Sequence, residues 1–198
     1  MRRMLFAVPM MLLCLLCACA GGESEILQTP MDHRSALLAR GGCAFDLDAR
    51  AEAGDRSWNL SLSCALDAEG SGSVRVLAPE SIAGISAVLD GPSGELHYED
   101  LALGLGTLSG TELAPAAAPG QLVRAWSHAW IASAGDDGGS LLVEYEDGAL
   151  TVRTWFTPEG LPCRAELVRE GKVCFAAEIR NYQWKAGETN ETTQEDLG

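Results

Sequence analysis

Cys43, Phe45, Leu47 and Ala49 occupy alternate positions, and so do Trp58, Leu60, Leu62 and Cys64. Apolar residues that alternate with polar or small ones have the period of a strand. They require a sheet with one face buried and the other wet. A turn centred on Ala53-Gly54 sets Phe45 opposite Leu62, Leu47 opposite Leu60 and Ala49 opposite Trp58. All the large apolar side chains then share one face, which is what fixes a register.

Further strands follow from the same reasoning. Gly70-Ser71-Gly72 turns the chain into a strand at 73–77, and Pro79-Glu80 ends it. A strand at 82–89 and one continuous strand through Leu96, Tyr98, Leu101, Leu103 and Leu105 come next. Asp147-Gly148 is a two-residue hairpin signal between 141–146 and 149–156. The last turn, Arg169-Glu170-Gly171, reads as a three-residue loop that pairs Leu161, Cys163, Ala165 and Leu167 with Ile179, Ala177, Phe175 and Val173. A two-residue loop there would set Arg164 and Glu166 against the apolar set. In the three-residue register Cys163 points into the core and Cys174 points out.

Two helices interrupt the strands. Thr29 can cap the first, Pro30 suits its first turn, Asp32 favours its positive end, and Gly41-Gly42 stops it. The second is expected over 119–132, where Leu122, Trp126 and Trp130 recur at spacing four and give one apolar face. Gly135-Asp136-Asp137-Gly138-Gly139 ends it. The total is roughly nine strands and two helices in one antiparallel sheet, a mainly β chain with helices. So many strands tend to curl, and a helix in the concavity would bury both Trp-bearing faces.

The N-terminus carries a different signal. Met-Arg-Arg precedes an apolar run from Leu5 to Cys17 that is too short to span a bilayer, which takes about 20 residues. Leu16-Cys17-Ala18-Cys19 fits the lipobox of bacterial lipoproteins: an aliphatic residue, a tolerant position, a small residue, then cysteine. The thiol is required because a diacylglyceryl group is attached to sulfur before cleavage. Residues 1–18 are therefore expected to be a signal peptide, and 19–28 a lipidated tether. The folded domain is expected over 29–184, followed by an acidic disordered tail over 185–198. Cys19 would hold the chain to the extracytoplasmic face of the cell membrane, stably if two or more acyl chains are attached.

Loss of Arg2 and Arg3 with the signal takes the formal charge from −14 to −16. So acidic a chain does not suit nucleic acid, which wants a basic face. It also lacks a polybasic grip on anionic lipid.

The segments Pro79-Glu80-Ser81-Ile82-Ala83-Gly84-Ile85-Ser86-Ala87 and Val152-Arg153-Thr154-Trp155-Phe156, together with Gly41-Gly42-Cys43 and the order of elements, resemble uncharacterised Gram-positive lipoproteins related to the LolA/LolB lipoprotein-carrier superfamily. The resemblance covers roughly residues 29–184. It implies an incomplete antiparallel β-barrel with helices plugging an apolar concavity. It does not carry over the carrier activity, because this chain has its own lipobox.

The candidate sites are few. Phe45, Leu62, Trp126 and Trp130 could line a cavity that takes a lipid or another apolar ligand. Alternatively Trp58, Trp126, Trp130 and Trp155 simply fill the core. Cys43 and Cys64 stand opposite in the expected register, at the short edge of disulfide geometry. They form either a cross-strand bond or two buried thiols. His33 and His128 fall on polar helix faces and His97 on an outward strand position, none at metal-ligand spacing. The acidic turns at Asp136-Asp137 and Glu144/Glu146/Asp147 read as solvated. No nucleophile has a base partner, no phosphate loop occurs, and no cofactor or metal is expected. The expected function is non-enzymatic: an anchored lipoprotein holding an apolar ligand, or a scaffold that binds a protein partner with its barrel filled.

Overall fold

The computed structural model describes residues 22–53, 56–91, 93–98, 101–107 and 115–185. Cys19 and the tail from 186 onward lie outside them. Helix α1 (Gly22–Arg40) leads into β1 (Cys43–Ala53), β2 (Arg56–Leu66), β3 (Gly72–Ala78), β4 (Ser86–Asp90), β5 (Ser93–Tyr98) and β6 (Leu101–Thr107). Helix α2 (Ala118–His128) follows, then β7 (Trp130–Asp137), β8 (Ser140–Asp147), β9 (Leu150–Phe156), β10 (Pro162–Arg169) and β11 (Lys172–Trp184). No helix among the described residues is long and apolar enough to cross a membrane.

All eleven strands lie in one antiparallel sheet, ordered β6-β5-β4-β3-β2-β1-β11-β10-β9-β8-β7. Two meanders, β1–β6 and β7–β11, are joined where β1 pairs with β11. The two ends, β6 and β7, do not pair with each other. The result is an incomplete barrel whose inner face is buried against α2 and α1, as the resemblance implied. The strand total exceeds the expected nine because Tyr98–Leu101 is a hairpin corner rather than one continuous strand, and because residues 130–137 are strand.

The strand parities follow the alternation, but the registers do not. In β1 and β2, Phe45 faces Cys64, Leu47 faces Leu62, Ala49 faces Leu60 and Ala51 faces Trp58. The hairpin is thus two residues longer than a turn at Ala53-Gly54 allows, since Ala53 itself pairs with Arg56. A shift of two preserves the buried face, so hydrophobicity could not distinguish the two registers. The Asp147–Leu150 pair likewise moves the next turn to Gly148-Ala149, where Gly148 takes the positive φ that a type II′ turn needs first.

The last hairpin combines both alternatives. Its loop is the two-residue Glu170-Gly171, with φ of 50° and 76° as in a type I′ turn. A bulge between Leu167 and Val168 then absorbs one residue. Beyond it Leu167 faces Phe175 and Ala165 faces Ala177, so the apolar set stays inside.

Helix α1 begins at Gly22, about two turns before Thr29, with Pro30 inside it. The Pro30 ring removes one N–H, and the helix continues through it. Helix α2 is shorter than expected. It stops at His128, and Ala129 is already extended at ψ 156°. Arg34 of α1 accounts for the stop: its Nε donates to the Trp126 carbonyl at 2.8 Å and a terminal nitrogen donates to that of Ala129 at 2.6 Å. A cation on the last carbonyls of a helix satisfies orphan acceptors and opposes the negative end of the dipole.

Candidate functional site

The concavity is the place where a ligand would sit, and it is packed with aromatic rings. Trp126 of α2 is fully buried, and its indole N–H donates to Thr154 Oγ1 of β9 at 2.8 Å. Its ring lies 5.8 Å from Phe45 of β1 and 5.7 Å from His33 of α1. His33 also meets Phe156 at 5.2 Å, Tyr182 at 5.7 Å and Trp184 at 5.1 Å. Tyr182 stacks on Phe45 at 6.0 Å.

Three of the four expected cavity residues therefore meet. Phe45, Leu62 and Trp126 are 2, 0 and 0% exposed, and they fill the concavity. The fourth, Trp130, does not join them. It is 75% exposed on β7, because the chain leaves the helix at Ala129 and the spacing of four ceases to have helical meaning. Trp58 is 37% exposed. Trp155 is buried on the opposite face of β9, under the Arg164 guanidinium at 4.4 Å, with its N–H on Asp137 at 2.6 Å. Of the four tryptophans expected to fill the core, Trp126 and Trp155 are buried, and Trp126 alone lies in the concavity.

His33 is the largest departure from the sequence reading. It is buried, not on a polar face, and its Nε2 lies 3.0 Å from Tyr182 Oη. Tyr182 is also hydrogen-bonded to the Cys43 thiol. His33 Nδ1 has no partner among the described residues. Burial, reinforced by the neighbouring Arg34 charge, holds the imidazole down at about 4.

The unfolded chain therefore binds a proton at His33 below pH 6.5 that the folded chain refuses until about pH 4. Stability from this group is intact above pH 6.5 and falls by about 3 kcal/mol as pH drops to 4. Denaturant midpoints measured from pH 7 to 4 should show this slope, and His33→Gln should flatten it relative to the parent. Equal slopes in both proteins would remove His33 as its source.

Cys43 faces Leu66 and Cys64 faces Phe45, so the two cysteines are diagonal neighbours rather than an opposed pair. Diagonal positions stand about 7–8 Å apart, beyond disulfide reach. Both thiols are free and buried. Burial pushes Cys43 up to about 11 and Cys64 higher still, with Asp46 adding to the latter. Cys163, expected in the core, is half-buried, and its thiol donates to the Trp155 carbonyl. Cys174 is half-buried and donates to that of Leu167. No group of three metal-binding side chains occurs among the described residues.

Tyr182 and Trp184 had no signal in a simple alternation, since Phe175, Ala177 and Ile179 are the inward residues of β11. Asn181 changes that parity. At φ 53° it is the extra residue between the Asp46–Arg180 and Ala44–Gln183 pairs, and its amide bonds Asp46 at 2.8 Å. A bulge of this kind re-aims the residues after it. Asn is among the few residues that accept a left-handed backbone, so Arg180-Asn181 was the clue available in the sequence.

The clefts lie around this packed centre. One of about 330 Å³ borders the start of α2, between Gly70, Gly120, Arg124 and Asp147. A groove of about 510 Å³ runs over β2, β1 and β11 beside Asn59, Asp48 and Glu178. A cleft of about 310 Å³ separates Ile26 and Leu27 of α1 from Ile131–Ala134 of β7. None of the three is lined by Phe45, Leu62 or Trp126.

No family model matches the chain, and no curated protein matches it in sequence. Similar solved structures include a LolA superfamily protein from Nitrosomonas europaea, at 10% identity and TM-score 0.43, covering 80% of this chain and 91% of that one. A putative outer membrane lipoprotein-sorting protein domain from Vibrio parahaemolyticus is 11% identical with TM-score 0.45, covering 83% and 94%. The structure of the CwlD amidase from Clostridioides difficile in complex with the GerS lipoprotein contains a chain 11% identical with TM-score 0.44, covering 82% and 95%.

Proposed function

We propose that the chain is a lipoprotein anchored through Cys19 to the extracytoplasmic face of the cell membrane, and that it acts without catalysis by binding a protein partner. The observation that carries this reading is the filled concavity. Phe45, Leu62 and Trp126 are buried by the protein's own side chains, and Trp126 is tied to Thr154. A lipid held against these residues and Trp130 is supported less, because Trp130 lies outside the concavity.

Two measurements test the proposal. Cys19→Ala should move the protein from the membrane fraction to the soluble one, or leave the precursor uncut; normal processing and retention would refute the anchor. Residues 20–198, exported behind another signal and purified, should yield no stoichiometric lipid by mass spectrometry. A bound acyl species lost on Trp126→Asp would replace the partner-binding reading with lipid carriage.

A further inference from the structure

The sheet ends at β7, and among the described residues no strand pairs with its outer edge. Unpaired edge N–H and C=O groups are a template for another strand, and proteins normally shield or blunt them. Here the edge carries an exposed tryptophan, Trp130, where edge strands ordinarily place charge.

The surroundings of this edge differ on its two sides. Ile131 pairs with Tyr145 and Ala134 with Val143, and these partners are fully buried. Ile131 and Ala134 thus lie on the inner side, and with Ile26 and Leu27 of α1 they line the 310 Å³ cleft. Trp130 pairs with Glu146 and Ser133 with Glu144, on the outer side. Residues 130–147 contain Asp136, Asp137, Glu144, Glu146 and Asp147 and no Lys, Arg or His. The edge therefore presents a slot bordered by Ile26, Leu27, Ile131 and Ala134 on one side and an exposed aromatic side chain beside Glu146 on the other.

We propose that β7 takes an added strand from a partner protein, an extended segment in which apolar and basic residues alternate. Strand addition supplies main-chain hydrogen bonds, and pockets for alternate side chains supply the choice of sequence. The apolar residues would enter the cleft between α1 and β7, and the basic ones would pass Trp130 and Glu146, Glu144 being already paired with Arg153. A cation over the Trp130 ring adds to the attraction.

Charge selects this occupant over two others. A second copy would bring the same acidic hairpin against itself, and like charges suppress such pairing. An anionic bilayer would be repelled for the same reason.

This inference rests on the partner-binding reading above and names its surface. The test uses residues 20–198 and a synthetic peptide of about ten residues alternating lysine and valine, the length of a long strand. The peptide should bind with a Kd of about 10–100 µM, and more weakly at about 0.5 M salt. Amides of 130–137 should gain protection from hydrogen exchange on binding. Trp130→Ala should weaken binding at least about tenfold, as loss of an aromatic anchor does. A peptide alternating lysine and proline keeps the charge but lacks alternate N–H groups, and it should not bind.

Equal binding of both peptides, or no effect of Trp130→Ala, would overturn the proposal. Protection of the same amides by self-association or by phosphatidylglycerol vesicles would overturn it in favour of those occupants. A chain that is free of lipid yet ignores the peptide would refute the β7 site alone. A chain that carries lipid would instead refute the partner-binding reading.

Discussion

Trp126→Ala is expected to cost about 4 kcal/mol of unfolding free energy, the middle of the range for removal of a large aromatic from a core. The side chain is fully buried between α2 and the sheet, with Phe45 and His33 within 6 Å of its ring centre. These rings are held by β1 and α1, so the void cannot close by collapse. Thr154, also fully buried, would lose the donor its hydroxyl receives from the indole. An orphaned buried polar group adds about 1–3 kcal/mol, and Trp126→Phe should isolate that part.

Urea unfolding of residues 20–198 would read the loss as a lower midpoint at unchanged slope. Trp130→Ala is the matched control. Only four residues away but 75% exposed, it should change stability by no more than about 0.5 kcal/mol. Equal losses for the two tryptophans would mean that α2 does not end where it does here.

A comparable loss, above about 3 kcal/mol, is expected for Gly70→Ala, and it arises from the backbone. A Cβ at Gly70 would lie 2.2 Å from the Gly120 carbonyl oxygen, and Gly70 also sits at φ +78°. The turn after β2 and the first turn of α2 touch main chain to main chain there, so α2 would have to lift off the sheet. The left-handed conformation alone costs an alanine about 1–2 kcal/mol.

Two further substitutions separate these contributions. Gly120→Ala meets the Gly70 oxygen at 2.6 Å without the positive φ, whereas Gly91→Ala has φ +53° and open space. Thermal or urea unfolding should rank Gly70→Ala as most damaging, Gly120→Ala next and Gly91→Ala least. If Gly91→Ala equals Gly70→Ala, conformation rather than the close approach accounts for the loss.

Alternation identifies which residues of a strand face inward, and Phe45, Leu47, Leu62 and Ala177 all do. It is indifferent to a slip of two, and so it misplaced the Cys43 and Cys64 partners. It also fails at bulges. A two-residue Glu170-Gly171 loop keeps the apolar set inside only through the bulge at Leu167/Val168, and Tyr182 and Trp184 turn toward His33 only because Asn181 reverses the parity. Periodicity has a similar blind spot at a helix end: Trp130 continued the spacing of four past the point where Arg34 and Ala129 stop α2.

The sequence by itself determined the class of the fold, the burial of one face of each strand, and the presence of two helices beside a curved antiparallel sheet. Those properties depend on neighbours along the chain, whose periods are written in the residues. Only the tertiary structure decided that His33 lies among Phe156, Tyr182 and Trp184, that the concavity is closed by its own aromatic rings, and that β7 is left with an open edge beside α1. Each of these depends on residues far apart in sequence, such as 33 and 182 or 27 and 131, and on bulges that local periodicity does not encode.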